Sequence, residues 1–248
     1  MSIAPPPKTF EYPTGDGLPM AETWLHVRAI IHLHQALEDF FRGRDDAFIA
    51  SDMNWYLEEG TDRKIAPDVL VAVGVPPRPP AERRCYLPWE EGGVIPAAVF
   101  EMASKGTWRE DVKDKYETYE ELGVREYFLF DPEAAYIHPP LQGYQLHGSA
   151  YRRIRSPDGE LTSELGFRIR AEGELVRLID GRTNEPILTR AEAVERAELA
   201  AVRAVQAAER ADQAVAAARM RADAEQQRAD ALAAELAELR KRLSGETP

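Results

Sequence analysis

Cysteine is almost missing. Cys85 stands alone in 248 residues, so no intramolecular disulfide forms, and no Cys/His cluster has the spacing of a zinc site. Long apolar runs are missing too. The longest, VLVAVGV and AAVF, fall far short of the ~18–20 residues that span a bilayer. The opening stretch, MSIAPPPKTFEYP, has no basic head followed by an apolar run, so no signal peptide is expected and the chain is placed in the cytoplasm. The third absence is positive charge. Lys and Arg number 31 against 43 Asp and Glu, a net charge of −12. Residues 190–248 carry 10 Lys/Arg and 11 Asp/Glu, which leaves −11 on residues 1–189. A polyanionic partner therefore needs a divalent metal or a local basic patch to offset that field.

The length fits one domain of roughly 150–200 residues plus an appendage better than two full domains. Residues 1–19 are rich in Pro and Gly (APPP, YPTGDGLP) and are expected to form an extended arm. The segment MAETWLHVRAIIHLHQALEDFFRG then spaces its apolar residues as a helix does, with Gly43 at the C-terminal stop. Three strand-like runs follow: AFIASDMNWYLE, APDVLVAV and AAVFEMAS. The Pro-rich stretch 76–96 separates the last two as a surface loop. Thr107-x-x-Glu110 has the form of a capping box, predicting a helix from there to Gly123, and EYFLFD reads as a further buried strand. The order is α-β-β-β-α-β. Residues 136–180 then read as short antiparallel strands with turns at Gly148, Asp158-Gly159, Gly173 and Asp180-Gly181, extending the sheet or covering its edge.

From Thr189 the character changes. Thr189-x-x-Glu192 is a second capping box, and neither Pro nor Gly recurs until Gly245. Leu232, Leu236, Leu239 and Leu243 alternate four and three apart. The same phase runs back through Ala and Val positions to Val194, with Glu225 its one polar seam residue. Residues 189–243 are expected to form an Ala-rich helical coiled-coil tail that joins two copies or recruits a partner, with a single solvated helix held by Ala propensity and Arg/Glu pairs as the alternative, and 244–248 a disordered end.

Chemistry concentrates around three features. Pro67-Asp68 opens a strand, and Glu101 lies near the end of the next. Asp111, Lys115 and Tyr119 follow at i, i+4 and i+8 of the predicted helix, which puts them on one face. Two carboxylates on neighbouring strands suit hard Mg²⁺, whose remaining ligands are water and substrate phosphate. A nearby Lys would offset charge growing on phosphorus. The plainer alternative is structural: an acid entering a strand at Asp68, and an ion pair between Glu101 and Lys115. Glu101 inside AAVFEMA in any case requires a partner, because an unpaired buried carboxylate costs several kcal/mol. His32 and His34 sit two apart on a helix and point away from each other, and His138 and His147 read as surface strand residues.

The phrases YPTGDGLPMAET, EEGTDRKIAPDVLVAVGVP, WEEGG, FEMASKGTWRED, KYETYEELGVREYFLFDP and PPLQGYQL carry a resemblance to the Uma-type family of restriction endonucleases, within the PD-(D/E)xK nuclease superfamily. The likeness runs from about residue 11 to 190. It implies an α/β fold for residues 20–188: a restriction-endonuclease-like core (α-β-β-β-α-β mixed sheet) with added antiparallel strands, followed by the long C-terminal helix or coiled coil. It implies DNA as substrate, Mg²⁺ or Mn²⁺ as cofactor, and Asp68 and Glu101 as metal ligands. One position departs from the pattern: the residue two after Glu101 is Ala103, not Lys. Lys115 is the favoured substitute, because Asp111 and Tyr119 share its face, with Lys105 as the alternative. Glu22 resembles an additional acidic residue of some members, and Ser104 offers a hydroxyl to phosphate or water. The missing Lys and the acidic domain keep a second reading open, a degenerate nuclease fold acting as a scaffold through its tail.

Overall fold

A computed structural model describes Tyr12 and residues 23–243. Glu22, the rest of the 1–19 arm and the 244–248 end lie outside the described residues. The chain divides into two compact units, Met1–Thr189 and Arg190–Pro248.

The first unit begins with α1 (Trp24–Phe40), capped by the Thr23 hydroxyl, which accepts the His26 N–H at 3.3 Å. His26, Ala29, Ile30, Leu33, Ala36 and Leu37 recur at three- and four-residue spacing and form its buried face. The strands are β1 (Ala47–Ser51), β2 (Trp55–Tyr56), β3 (Lys64–Ile65), β4 (Val69–Val73), β5 (Ala98–Met102), β6 (Glu126–Phe130), β7 (Leu141–His147), β8 (Ala150–Arg153), β9 (Leu161–Thr162), β10 (Phe167–Glu172) and β11 (Leu175–Asp180). Six of them form one mixed sheet in the order β1-β4-β5-β6-β7-β8, in which only the β5–β6 pair is parallel. Between β5 and β6 the chain forms α2 (Trp108–Glu110), a π-helical turn (Asp111–Lys115) and α3 (Tyr116–Leu122).

The central strands are buried on both faces, hence their nearly continuous apolar runs. Val69, Val71, Phe100, Met102, Phe128 and Phe130 pack with α1 and with the small sheet β11-β10-β9. Leu70, Ala72, Val99 and Tyr127 face the other way, onto Trp55, Tyr86 and Tyr119. The sheet is thus a wall between two cores, and β5 and β6 cross its middle.

Four expectations need correction. The run AFIASDMNWYLE is not one strand: Asp52 takes φ 48°, and the chain breaks there into β1 and β2. The Asp52 N–H turns to the carbonyls of Pro67 and Asp68, at 3.2 and 3.3 Å. Thr107 does not cap its helix, because its hydroxyl accepts the Ser104 N–H at 3.3 Å instead. The helix from Trp108 to Leu122 is not uniform either, since its middle turn is π rather than α. Finally, His138 precedes β7 instead of lying in a strand. The segment 136–180 both extends the sheet, through β7 and β8, and builds the second one.

The second unit is α4 (Arg190–Leu243), 54 residues and therefore ~80 Å long. Glu192 lies in its first turn and Arg240, Lys241 and Arg242 in its last, each complementing the helix dipole. None of its residues is buried, and Leu232, Leu236, Leu239 and Leu243 all stand exposed.

Candidate active site

Side chains alternate across a strand, so with Phe100 and Met102 committed to the α1 side, Glu101 points to the opposite face. There it meets α3 and the π turn. Glu101 is fully buried, at 0% exposure. Its Oε1 accepts the Tyr119 hydroxyl at 2.6 Å, and its Oε2 accepts Lys115 Nζ at 2.8 Å. The Asp68 backbone N–H lies 3.5 Å from the same Oε2. Asp68, buried just ahead of β4, accepts the Met102 N–H on Oδ2 at 2.6 Å, and its Oδ1 lies 3.6 Å from His26 Nε2. Lys115 Nζ is also 3.1 Å from Asp111 Oδ1, across one turn. Asp111 is itself held from behind, where the Tyr127 hydroxyl donates to its carbonyl at 2.8 Å.

The structure therefore brings Asp68, Glu101, Asp111, Lys115 and Tyr119 into one buried cluster. Lys105 stays outside it, exposed in the loop after β5 and joined to neither carboxylate. The Ser104 hydroxyl faces Thr107 Oγ1 at 3.0 Å and belongs to that loop. His26 is an addition that the sequence reading missed. Its position among Ala29, Ile30 and Leu33 on the apolar face of α1 marks it as buried but gives no hint of Asp68 across the sheet.

Three carboxylates surround one ammonium, and this sets the electrostatics. Burial pushes the Glu101 carboxyl well above the ordinary glutamate range; Lys115 opposes the shift, and Asp68 and Asp111 reinforce it. Burial likewise raises Asp111 against the pull of Lys115. Burial alone would lower Lys115, but Glu101, Asp111 and Asp68 together outweigh it and hold the ammonium protonated. The Tyr119 hydroxyl is driven far up by burial and by the Glu101 carboxylate it serves. A carboxyl raised on folding stabilises below its unfolded value and loses that stabilisation as pH climbs toward the folded one. In EDTA, the melting temperature should therefore decline as pH rises above the ordinary glutamate value of 4.5. Glu101→Gln should flatten that decline, and an unchanged slope in the variant would refute the assignment.

Among the described residues no group of three or more His, Cys, Asp or Glu side chains is spaced to hold a metal ion. Asp68 and Glu101 suit a smaller protein contribution. Both present only oxygen, and Mg²⁺ commonly takes one or two carboxylates and fills its octahedron with water and phosphate. The negative excess around Lys115 also fits an additional cation.

The model of the Uma2 family, described as "Putative restriction endonuclease", matches residues 2–175. A crystal structure of a putative nuclease belonging to DUF820 from Anabaena variabilis is similar at 14% identity and a TM-score of 0.44, covering 59% of this chain and 75% of its own. No curated protein matches. No described helix is long and apolar enough to cross a membrane. With α1, β1, β4, β5, the α2–α3 segment and β6 in the α-β-β-β-α-β order of a restriction-endonuclease-like core, and a family match across most of its length, the chain belongs to the Uma2 family.

Proposed function

We propose that this protein is an endonuclease that hydrolyses DNA phosphodiester bonds with the help of Mg²⁺ or Mn²⁺. The observation that carries the reading is the pair of buried carboxylates, Asp68 and Glu101, with the Lys115 ammonium 2.8 Å from Glu101. A divalent ion between the two acids would polarise the scissile phosphate and make water a better nucleophile. The protein's own groups do the rest. The Met102 N–H holds Asp68 Oδ2 and the Tyr119 hydroxyl holds Glu101 Oε1, so each acid is oriented by a donor buried with it. Lys115 places positive charge where negative charge grows on phosphorus, and Asp111 keeps Nζ in place from the other side. Lys115 thus stands in for the Lys that Ala103 lacks.

Calorimetric titration with MgCl₂ or MnCl₂, paired with incubation on supercoiled, linear and single-stranded DNA, tests this reading. Wild type should bind the ion and cut at least one substrate, and Asp68→Ala should do neither. Equal background from both chains on every substrate would end the hydrolase reading. Absence of carboxylate-dependent ion binding would favour the second reading, a nuclease fold retained as a scaffold, which Ala103 and the charge of −11 motivate.

We infer also that α4 pairs with a second copy through its leucine seam, placing two sites in one particle as double-strand cleavage requires. Leu232 and Leu236 are 61% and 52% exposed, an apolar edge that a partner helix would cover. Sedimentation at micromolar concentration should give a dimer, and Leu232→Glu with Leu239→Glu a monomer that melts unchanged. A monomeric wild type removes the pairing.

A further inference from the structure

We propose that an arginine-lined groove at one end of the main sheet holds the DNA backbone one or two phosphates away from the cleaved bond. The cavity has a volume of about 670 Å³, and Arg153, Arg155 and Arg170 line it together with Gln142, Ser156 and Asp158. Three arginines lining one hollow stand out in a unit whose charge is −11. Most arginines of that unit are neutralised by their own carboxylates, as in Arg28–Glu174, Arg44–Asp46 and Arg168–Glu160. Arg153 and Arg155 make no ion pair among the described residues, and Arg170 reaches only Glu172, at 3.7 Å with both side chains half exposed.

Position favours a substrate role. Glu101 pairs with Leu129, and Leu129 with Gln142, so the groove's Gln142 lies in the same cross-strand row as the catalytic acid. Two strand spacings put it roughly 10 Å from Glu101 along the sheet. One DNA strand carries a phosphate per ~3.4 Å of axis, and the spacing along its curved backbone is larger still, so a backbone leaving the site reaches the groove one or two phosphates on. The ladder continues past β8, where the Ile154 N–H donates to Gly143 at 2.8 Å, and residues 153 and 155 therefore face the same way. Charges on β8, an edge strand, also discourage strand pairing. That duty does not account for Arg170, which comes from the other sheet. One acid, Asp158, shares the lining, and its carboxylate is engaged by the Ser156 hydroxyl and by the Glu160 N–H at 3.1 Å.

The inference rests on the nuclease reading only for where the cleaved bond lies, and its test separates the two. Anisotropy of a labelled DNA duplex with the full chain in EDTA, over a range of NaCl concentrations, measures binding without cleavage. Replacing Arg153, Arg155 and Arg170 together by Ala should weaken binding alike for unrelated sequences and lower the salt slope by about three. The same triple should raise KM in the cleavage assay with kcat nearly kept. The control triple Arg42→Ala, Arg63→Ala and Arg182→Ala, on exposed arginines elsewhere, should leave the slope unchanged. Wild-type slope and affinity in the groove triple, equal losses in the control, or no DNA binding by wild type at low salt would each overturn the groove. If nothing cleaves but the groove triple alone loses binding, the hydrolase reading fails and the groove stands. If wild type cleaves and the groove triple cleaves with unchanged KM, the reverse holds.

Discussion

Lys115→Met should destabilise the Met1–Thr189 unit by about 3–5 kcal/mol at neutral pH, the loss expected when one partner of a buried ion pair is removed. The Lys115 side chain is 14% exposed and Glu101 is fully buried, so water does not replace the lost ammonium. Glu101 would then face Asp68 and Asp111 without a counter-charge, and it would take up a proton rather than remain ionised. Urea unfolding in EDTA measures the effect. Adding Glu101→Gln to the same chain should recover much of the loss, because it removes the charge that lost its partner. The penalty should also shrink at acid pH, where Glu101 is protonated in both folded and unfolded chains. A single variant that loses less than about 1 kcal/mol would place Lys115 on the surface-pair scale and contradict the buried contact.

How much of this cluster the sequence discloses depends on distance along the chain. Asp111, Lys115 and Tyr119 are legible as a set because helical spacing alone puts them on one face, and the π turn between the first two does not separate them. β4, β5 and β6 are legible because burial on both faces leaves unbroken apolar runs, and Glu101 stands out within one of them. His26 is not legible. Its partner is 42 positions away, and an imidazole on an apolar helix face reads as core. The break at Asp52 is hidden because neither Gly nor Pro marks it; two carbonyls beside Asp68 hold its N–H in place instead. Thr107-x-x-Glu110 misleads because a local pattern cannot weigh the competing N–H of Ser104. The arginine groove is invisible for a topological reason: Arg170 joins Arg153 and Arg155 only once the chain has folded into two sheets.

Cleavage gives the largest expected effect. Asp68→Ala and Glu101→Gln should each lower kcat by about a thousandfold or more, since a bound ion supplies several kcal/mol of transition-state stabilisation and neither acid alone would hold it well. The double variant should be hardly worse than either single one, because residues that act as one unit are not additive. If Lys115 is the donor to the phosphate, as proposed, Lys115→Ala should lose about 10²–10³ in kcat. Lys105→Ala should lose almost nothing, because Lys105 is exposed and joined to neither acid. Single-turnover cleavage at saturating Mg²⁺ ranks the four single variants and the double. The ranking discriminates between lysines that the sequence leaves in competition, and a larger loss for Lys105 than for Lys115 would mean that the ammonium at 2.8 Å from Glu101 is a structural partner. In that outcome the urea result for Lys115→Met would still hold while its kcat stayed near wild type. Stability and catalysis would then part at one residue, and the phosphate's cation would have to come from the loop between β5 and α2.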